Sequence, residues 1–134
     1  MEQTGEPALD LPARRYHAYA CALGQSGGCT NRGGGMRNGP VPGDPWWKAS
    51  TPDAAKDACL YRSFQSSCAG LDSWGCAMLG QAQEYGEGTP ANPAAARLSY
   101  RRACDLGQDK TFAACVFARA GLAPLAAQPD GPTL

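Results

Sequence analysis

Seven cysteines in a chain of 134 residues constrain the possible folds more than any other feature of this sequence. Bulky aliphatic residues are scarce, since isoleucine is absent and the only valines are Val41 and Val116. The chain is therefore too poor in β-branched residues to favour a fold built from sheets. Low apolar content together with a high net charge would predict disorder, but the formal charge here is zero. We expect the cysteines to supply the stability that a large apolar core would otherwise give.

Six of the cysteines form three pairs with similar spacing, with seven residues between the members of the first two pairs and ten in the third. The pairs are Cys21 with Cys29, Cys68 with Cys76, and Cys104 with Cys115. The surrounding residues match as well, because residues 20–25 read ACALGQ and residues 103–108 read ACDLGQ. The shorter period, 36 residues between the first cysteines of the last two pairs, is typical of helical-hairpin solenoids.

Local signals predict that the repeated segments are helical. Asn92 followed by Pro93 is typical of a helix start, because asparagine caps free N–H groups and proline fits the first turn. Ala96 and Tyr100 then recur at helical spacing before Gly107, which we expect to be the C-cap. In the preceding unit an equivalent helix is predicted from Pro52 and Asp53, with an apolar stripe formed by Ala55, Cys59, Leu60, Phe64 and Cys68.

The first helix of each predicted hairpin has a different helix propensity in the two units. Residues 74–85 are a favourable helix with Leu79 and Ala82 facing inward. Residues 29–38 contain three consecutive glycines, each costing about 1 kcal/mol relative to alanine in a helix, and Arg32 stands where the other unit has Leu79. We expect this helix to be short, frayed or held only by its disulfide.

Residues 75–107, which read GCAMLGQAQEYGEGTPANPAAARLSYRRACDLG, resemble the Sel-1-like repeat, a relative of the tetratricopeptide repeat. The matching positions are Leu79, Gly80, Gly86, Gly88, Pro90, Asn92, Ala96, Tyr100, Arg101, Arg102, Ala103 and Gly107. The resemblance is to the cysteine-rich bacterial type. It implies an all-α fold, a right-handed solenoid of αα-hairpins stapled by disulfides, which acts as an adaptor surface. Some members of the family are described as penicillin-binding or as weak β-lactamases.

The expected domain covers residues 12–120 and contains about two full repeats. A helix over residues 12–22 precedes them and another over 111–120 follows. We expect residues 1–11 to be flexible or disordered, and residues 121–134 to be a flexible tail rich in proline and alanine.

The cysteine pairing is left open by the count alone, because seven cysteines allow many arrangements. Cys59 and Cys68 are nine residues apart in one predicted helix, about 13 Å, which is too far for a bridge. The resemblance implies that each of the three pairs joins the end of one helix to the start of the next. Cys59 is then the free thiol, expected to be a buried small hydrophobe.

No catalytic, metal or cofactor site is predicted. There is no C-x-x-C motif, and His17 is the only histidine, expected on a helix surface. The S-x-x-K motif of serine β-lactamases is absent, because no serine stands three residues before Lys48, Lys56 or Lys110. We expect no enzyme, with a penicillin-binding or weakly β-lactam-hydrolysing protein as the alternative. Glu84 and Glu87 are expected to be solvated.

The partner is expected to be a protein or peptide, and the function that of an interaction scaffold. A neutral chain is a poor candidate for nucleic-acid binding, and no apolar stretch is long enough to span a membrane. Trp46 and Trp47, in a loop rich in proline and glycine, are candidate partner-binding residues, or else fold back over the hairpin. No signal peptide is visible, yet the cysteine content predicts a periplasmic or secreted protein, with a cytoplasmic one as the alternative.

Overall fold

The computed structural model describes residues 7–38, 53–107 and 112–125. Within these ranges the chain forms helices and no strands, which confirms the expected all-α class. None of the described helices is both long enough and apolar enough to cross a bilayer. The helices are α1 (Pro7–Ala22), α2 (Ser26–Asn38), α3 (Asp53–Ala69), α4 (Ser73–Tyr85), α5 (Pro93–Asp105) and α6 (Ala113–Leu125).

The helices pack in two layers. In one layer α4 lies beside both α2 and α6. In the other layer α3 packs against α2 and α4, α5 packs against α4 and α6, and α1 packs against α2. The helices of the first layer thus form a continuous surface, which the helices of the second layer cover from one side.

Hydrogen bonds and disulfides fix the relative directions of the helices. The side chain of Thr30 donates to the Asp72 carboxylate near the start of α4, and Arg37 bonds Glu87 just beyond its end, so α2 and α4 run parallel. Helices α5 and α6, by contrast, run antiparallel. There, a disulfide joins the end of α5 to the start of α6, and Arg97 near the start of α5 donates to the backbone oxygen of Leu125 at 3.2 Å.

Disulfides join consecutive helices at three places, between α1 and α2, between α3 and α4, and between α5 and α6. The bridges join the same three pairs that the resemblance favours: Cys21–Cys29, Cys68–Cys76 and Cys104–Cys115. Their Cα atoms lie 4.5, 4.4 and 4.5 Å apart, although the third pair is separated by three more residues along the chain. The three corners therefore bring their helices together at nearly the same distance.

Helix α5 begins as expected and ends differently. The side chain of Asn92 accepts a hydrogen bond from the Ala95 N–H at 3.1 Å, with Pro93 in the first turn. The expected C-cap at Gly107 is wrong, because Leu106 holds that position with ordinary right-handed dihedral angles. Gly107 has a steric role instead, since a Cβ there would overlap the ring of Phe112.

The expected bounds of the terminal helices are wrong by several residues. α1 begins at Pro7, within the segment expected to be flexible, because Pro7 suits the first position of a helix as well as Pro12 does. α6 extends to Leu125, within the expected tail. It reaches that far because Leu125 is buried in the core and its backbone oxygen accepts a hydrogen bond from Arg97, while Pro124 falls in the last turn.

Helix α2 is continuous over 13 residues, so the expectation of a short or frayed helix is also wrong. Its glycines are accommodated because close packing requires one of them. A Cβ at Gly33 would lie 2.6 Å from Cε1 of Phe64, so only glycine allows α3 to approach this closely. Tertiary contact here outweighs weak helix propensity.

Candidate functional site

The interior between the two layers repeats one contact. Gly33 of α2 lies against the ring of Phe64, and Gly80 of α4 lies against the ring of Tyr100, where a Cβ would come within 2.7 Å of Cδ1. Each glycine is four residues after the second cysteine of its corner, and each aromatic residue is four before the first cysteine of the next. The same faces of α2 and α4 are therefore turned toward the covering layer.

His17 occupies the corresponding position on α1, four residues before Cys21. It is only 6% exposed, so the expectation of a surface histidine is wrong. The reason is the register of the helix, because the residue four before the first cysteine points into the interior in α3 and α5 as well. His17 shares with Phe64 and Tyr100 its position four residues before a first cysteine, and this sequence signal could have predicted its burial.

Arg37 connects the first and second units. Its guanidinium donates to both carboxylate oxygens of Glu87, at 2.7 and 3.2 Å, and lies 4.9 Å from the ring centroid of Phe64. The same group contacts Sδ of Met78 at 3.1 Å. Glu87 is therefore paired rather than solvated as expected, and Arg37 is held against the interior.

Tyr100 makes the equivalent polar contact in the second unit. Its hydroxyl donates to the Glu84 carboxylate at 2.7 Å, so Glu84 is also engaged rather than solvated. Burial, and then the hydrogen bond and charge of Glu84, raise the pKa of Tyr100 far above its usual range. The neighbouring Ser99 donates to the side-chain oxygen of Gln83 at 2.6 Å. These contacts fix α5 to the inner side of α4.

The opposite side of α4 carries four residues at helical spacing. Trp74 is 40% exposed and Tyr85 is 68% exposed, with half-buried Met78 and Gln81 between them. The Trp74 ring lies 5.8 Å from the ring of Phe117 on α6, at a tilted angle. An aromatic surface therefore extends from α4 to α6.

Apart from Phe117, the matching positions of the neighbouring helices carry smaller side chains. We define the outward face as the positions two before, two after and five after the second cysteine of each corner, together with Tyr85. Gly27 and Gly34 have open space above them, and Asn31, Ala113 and Ala120 are exposed. The outward face comprises Gly27, Asn31, Gly34, Trp74, Met78, Gln81, Tyr85, Ala113, Phe117 and Ala120.

Charge is concentrated on the other layer. Among the described side chains, the exposed charged residues are Arg15, Arg62, Arg101, Arg102, Asp105 and Arg119. All but Arg119 belong to α1, α3 or α5. Arg119 is four residues after Cys115, the register of Gly33 and Gly80, so it lies outside the outward face. The outward face has no charged member among the described side chains.

The corner before α4 has an unusual backbone. Leu71 adopts a left-handed conformation with φ of 69°, the only non-glycine residue with positive φ among those described. The matching position in the first corner is Gly24, with φ of 87°. Leu71 is also 62% exposed. A bulky residue in this conformation is a genuine outlier.

Cys59 is a free cysteine that the structure leaves half-buried rather than buried. Its sulfur lies 3.5 Å from Nη2 of Arg32, and its side chain packs at the edge of the core. Within the predicted stripe of α3, Leu60, Phe64 and Cys68 are buried, whereas Ala55 is exposed and that assignment is wrong. Ala55 lies in the first turn of α3, just after its start at Asp53, which is why the stripe does not reach it.

The candidate partner-binding residues Trp46 and Trp47 lie outside the described residues, so their role stays a prediction. Among the described residues, no group of three or more metal-ligating side chains is close enough to hold a metal ion. No protein-family model, curated protein or solved structure matches this chain.

Proposed function

We propose that this chain is a protein-interaction module built from Sel-1-like helical repeats, which binds a peptide segment of a partner protein on its outward face. The observation that carries the proposal is the exposed aromatic stripe of α4 and its continuation to Phe117. Tryptophan, tyrosine and methionine are enriched at protein interfaces, and tryptophan and tyrosine are also enriched among the residues that contribute most of the binding energy. The stripe contains one of each.

Support for the repeat architecture comes from recurring contacts rather than from any relative. Gly33 against Phe64 and Gly80 against Tyr100 occur in the same register, beside disulfide corners of similar Cα separation. We propose that residues 7–125 form the repeat domain, a right-handed stack of αα-hairpins. Three disulfides also favour an extracytoplasmic location, periplasmic or secreted, since such bonds persist in oxidising compartments.

The proposal is tested by selecting peptides from a random phage-displayed library on the immobilised chain. Affinities of the selected peptides are then measured for the wild type and for the double variant Trp74→Ala/Tyr85→Ala. We expect a loss of about tenfold or more, the effect of removing an interface anchor. The matched control is Tyr19→Ala/Leu98→Ala, which removes two residues that are each 66% exposed on the other layer.

We expect the control variant to bind like the wild type. If no peptide is enriched, or if selected peptides bind the Trp74→Ala/Tyr85→Ala variant as tightly as the wild type, the outward face is not the binding surface. Circular dichroism of both variants checks that the helices are retained.

A further inference from the structure

Four charged groups beside the α2 and α4 part of the outward face are already engaged within the molecule. Arg37 is paired with Glu87, and Glu84 accepts a hydrogen bond from Tyr100. Asp72, at the start of α4, accepts from Thr30. A charged ligand side chain docked between these groups would lose water without gaining a free opposite charge, which is unfavourable. This part of the face is therefore complementary to a neutral ligand.

Leu71 gives a second, independent indication. Left-handed backbone is unfavourable for a bulky L-residue, and the exposed Leu71 side chain offsets little of that cost by burial. Gly24 shows that the equivalent corner forms without this strain. Backbone strain at a residue that contributes little to folding stability indicates that the residue serves binding rather than folding. Leu71 precedes Trp74 by three residues, at the end of α4 where Trp74 meets Phe117.

We propose that the outward face takes an uncharged, apolar peptide segment, one of whose apolar side chains is anchored by Leu71, Trp74 and Phe117. This rests on the proposed function and specifies the chemistry of its ligand. Burial of apolar surface drives the association, while the amide of Gln81 and the small residues Gly34 and Ala120 allow the peptide backbone to approach. Ion pairs make no contribution.

The composition of the ligand is tested with three restricted phage libraries on the intact, oxidised chain. One contains only apolar, aromatic, proline, serine and glycine residues, and the other two include aspartate and glutamate or lysine and arginine at half of their positions. We expect enrichment from the neutral library. The affinity of its peptides should change by less than about twofold between low and high salt, because screening acts on charges.

The anchor is tested with Leu71→Gly, compared with Leu23→Gly. Leu23 lies in the first corner and is also 62% exposed, but precedes the left-handed residue. We expect Leu71→Gly to weaken binding of the neutral peptides about tenfold, the effect of removing an anchor, while raising the melting temperature. Opposite changes in affinity and stability separate a lost contact from a damaged fold. Leu23→Gly should leave the affinity unchanged.

Each other outcome has a distinct meaning. Enrichment from an acidic or basic library, with binding lost in Trp74→Ala/Tyr85→Ala, would overturn the neutral ligand and retain the proposed function. Equal affinities of Leu71→Gly and the wild type would overturn the anchor. If no library is enriched, both this inference and the proposed function fail.

Discussion

The first helix pair (α2 and α3) and the second helix pair (α4 and α5) make the same contacts from unequal sequences. Both place a glycine against an aromatic ring and join a disulfide corner. However, α4 buries Leu79 where α2 has Arg32, which is directed at Cys59. α2 also contains five glycines within its 13 residues. The second pair has a favourable helix and an apolar core, whereas α2 depends on its neighbours to be helical.

The difference teaches that a few positions define the shared geometry and that the remaining positions are free to specialise. The glycine, the aromatic ring and the cysteines recur in both pairs. By contrast, the outward positions of α2 are Gly27, Asn31 and Gly34, whereas those of α4 include Trp74 and Tyr85. We therefore expect α4 to provide the binding residues and α2 an unobstructed flank.

The largest expected effect comes from removing the buried rings. Phe64→Ala and Tyr100→Ala should each lower the free energy of unfolding by about 3–5 kcal/mol, the cost of truncating a buried aromatic residue. Denaturant unfolding measures both, with exposed Leu98→Ala as the control, expected within about 0.5 kcal/mol of the wild type. A cost below about 1 kcal/mol for Phe64→Ala alone would mean that the two pairs are not packed alike.

Removing single disulfides should reveal a further difference between the two helix pairs. Cys68→Ala/Cys76→Ala should cost about 2–3 kcal/mol in the chain-entropy model while α4 stays helical. The Cys21–Cys29 bridge closes a loop of equal length. We expect its removal in Cys21→Ala/Cys29→Ala also to unfold α2, because α2 lacks intrinsic helix propensity. Amide hydrogen exchange of α2 measures this. Equal protection of α2 with and without its disulfide would show that it does not depend on the bridge.

Exchanging the corner residues should shift stability in opposite directions. Leu71→Gly should raise the free energy of unfolding by about 1 kcal/mol by relieving left-handed strain. Gly24→Ala should lower it by about 1 kcal/mol for the same reason. Thermal unfolding measures both changes. Destabilisation by Leu71→Gly would indicate that the leucine side chain supports the corner.

The smallest expected effect comes from the hydroxyl of Tyr100, a polar group that the equivalent Phe64 does not have. Tyr100→Phe should cost about 1 kcal/mol at neutral pH, since it removes a hydrogen bond to Glu84. Because the folded state raises the pKa of Tyr100, this group's contribution is fully present below its unfolded value near 10 and falls above it. Stability of the wild type should therefore fall more steeply above pH 10 than that of Tyr100→Phe. Identical alkaline slopes would contradict the role assigned to Tyr100.

The sequence was sufficient for features that depend on local chemistry. The helical class, the start of α5 at Asn92 and Pro93, and the inward direction of Leu79 and Ala82 follow from capping and periodicity. These features need no knowledge of distant residues. The cysteine corners could likewise be placed from their repeated spacing.

Features that depend on tertiary contact were missed. We attribute the helicity of α2 to its packing against Phe64 at Gly33, and α6 ends where Leu125 reaches the core. Burial of His17 could have been predicted, because it shares its position before the first cysteine with Phe64 and Tyr100, but that register was not extended to α1. The α4 stripe of the outward face was visible as helical spacing within residues 74–85, but its continuation to Phe117 depends on the packing of α4 against α6.

The most direct measurement is the count of reactive thiols in the native oxidised chain and in the reduced chain. Alkylation under denaturing conditions, followed by intact mass spectrometry, should modify one cysteine before reduction and all seven after it. Peptide mapping should assign the thiol that reacts without reduction to Cys59. Seven reactive thiols before reduction would contradict the disulfide-closed corners on which the fold and its outward face depend.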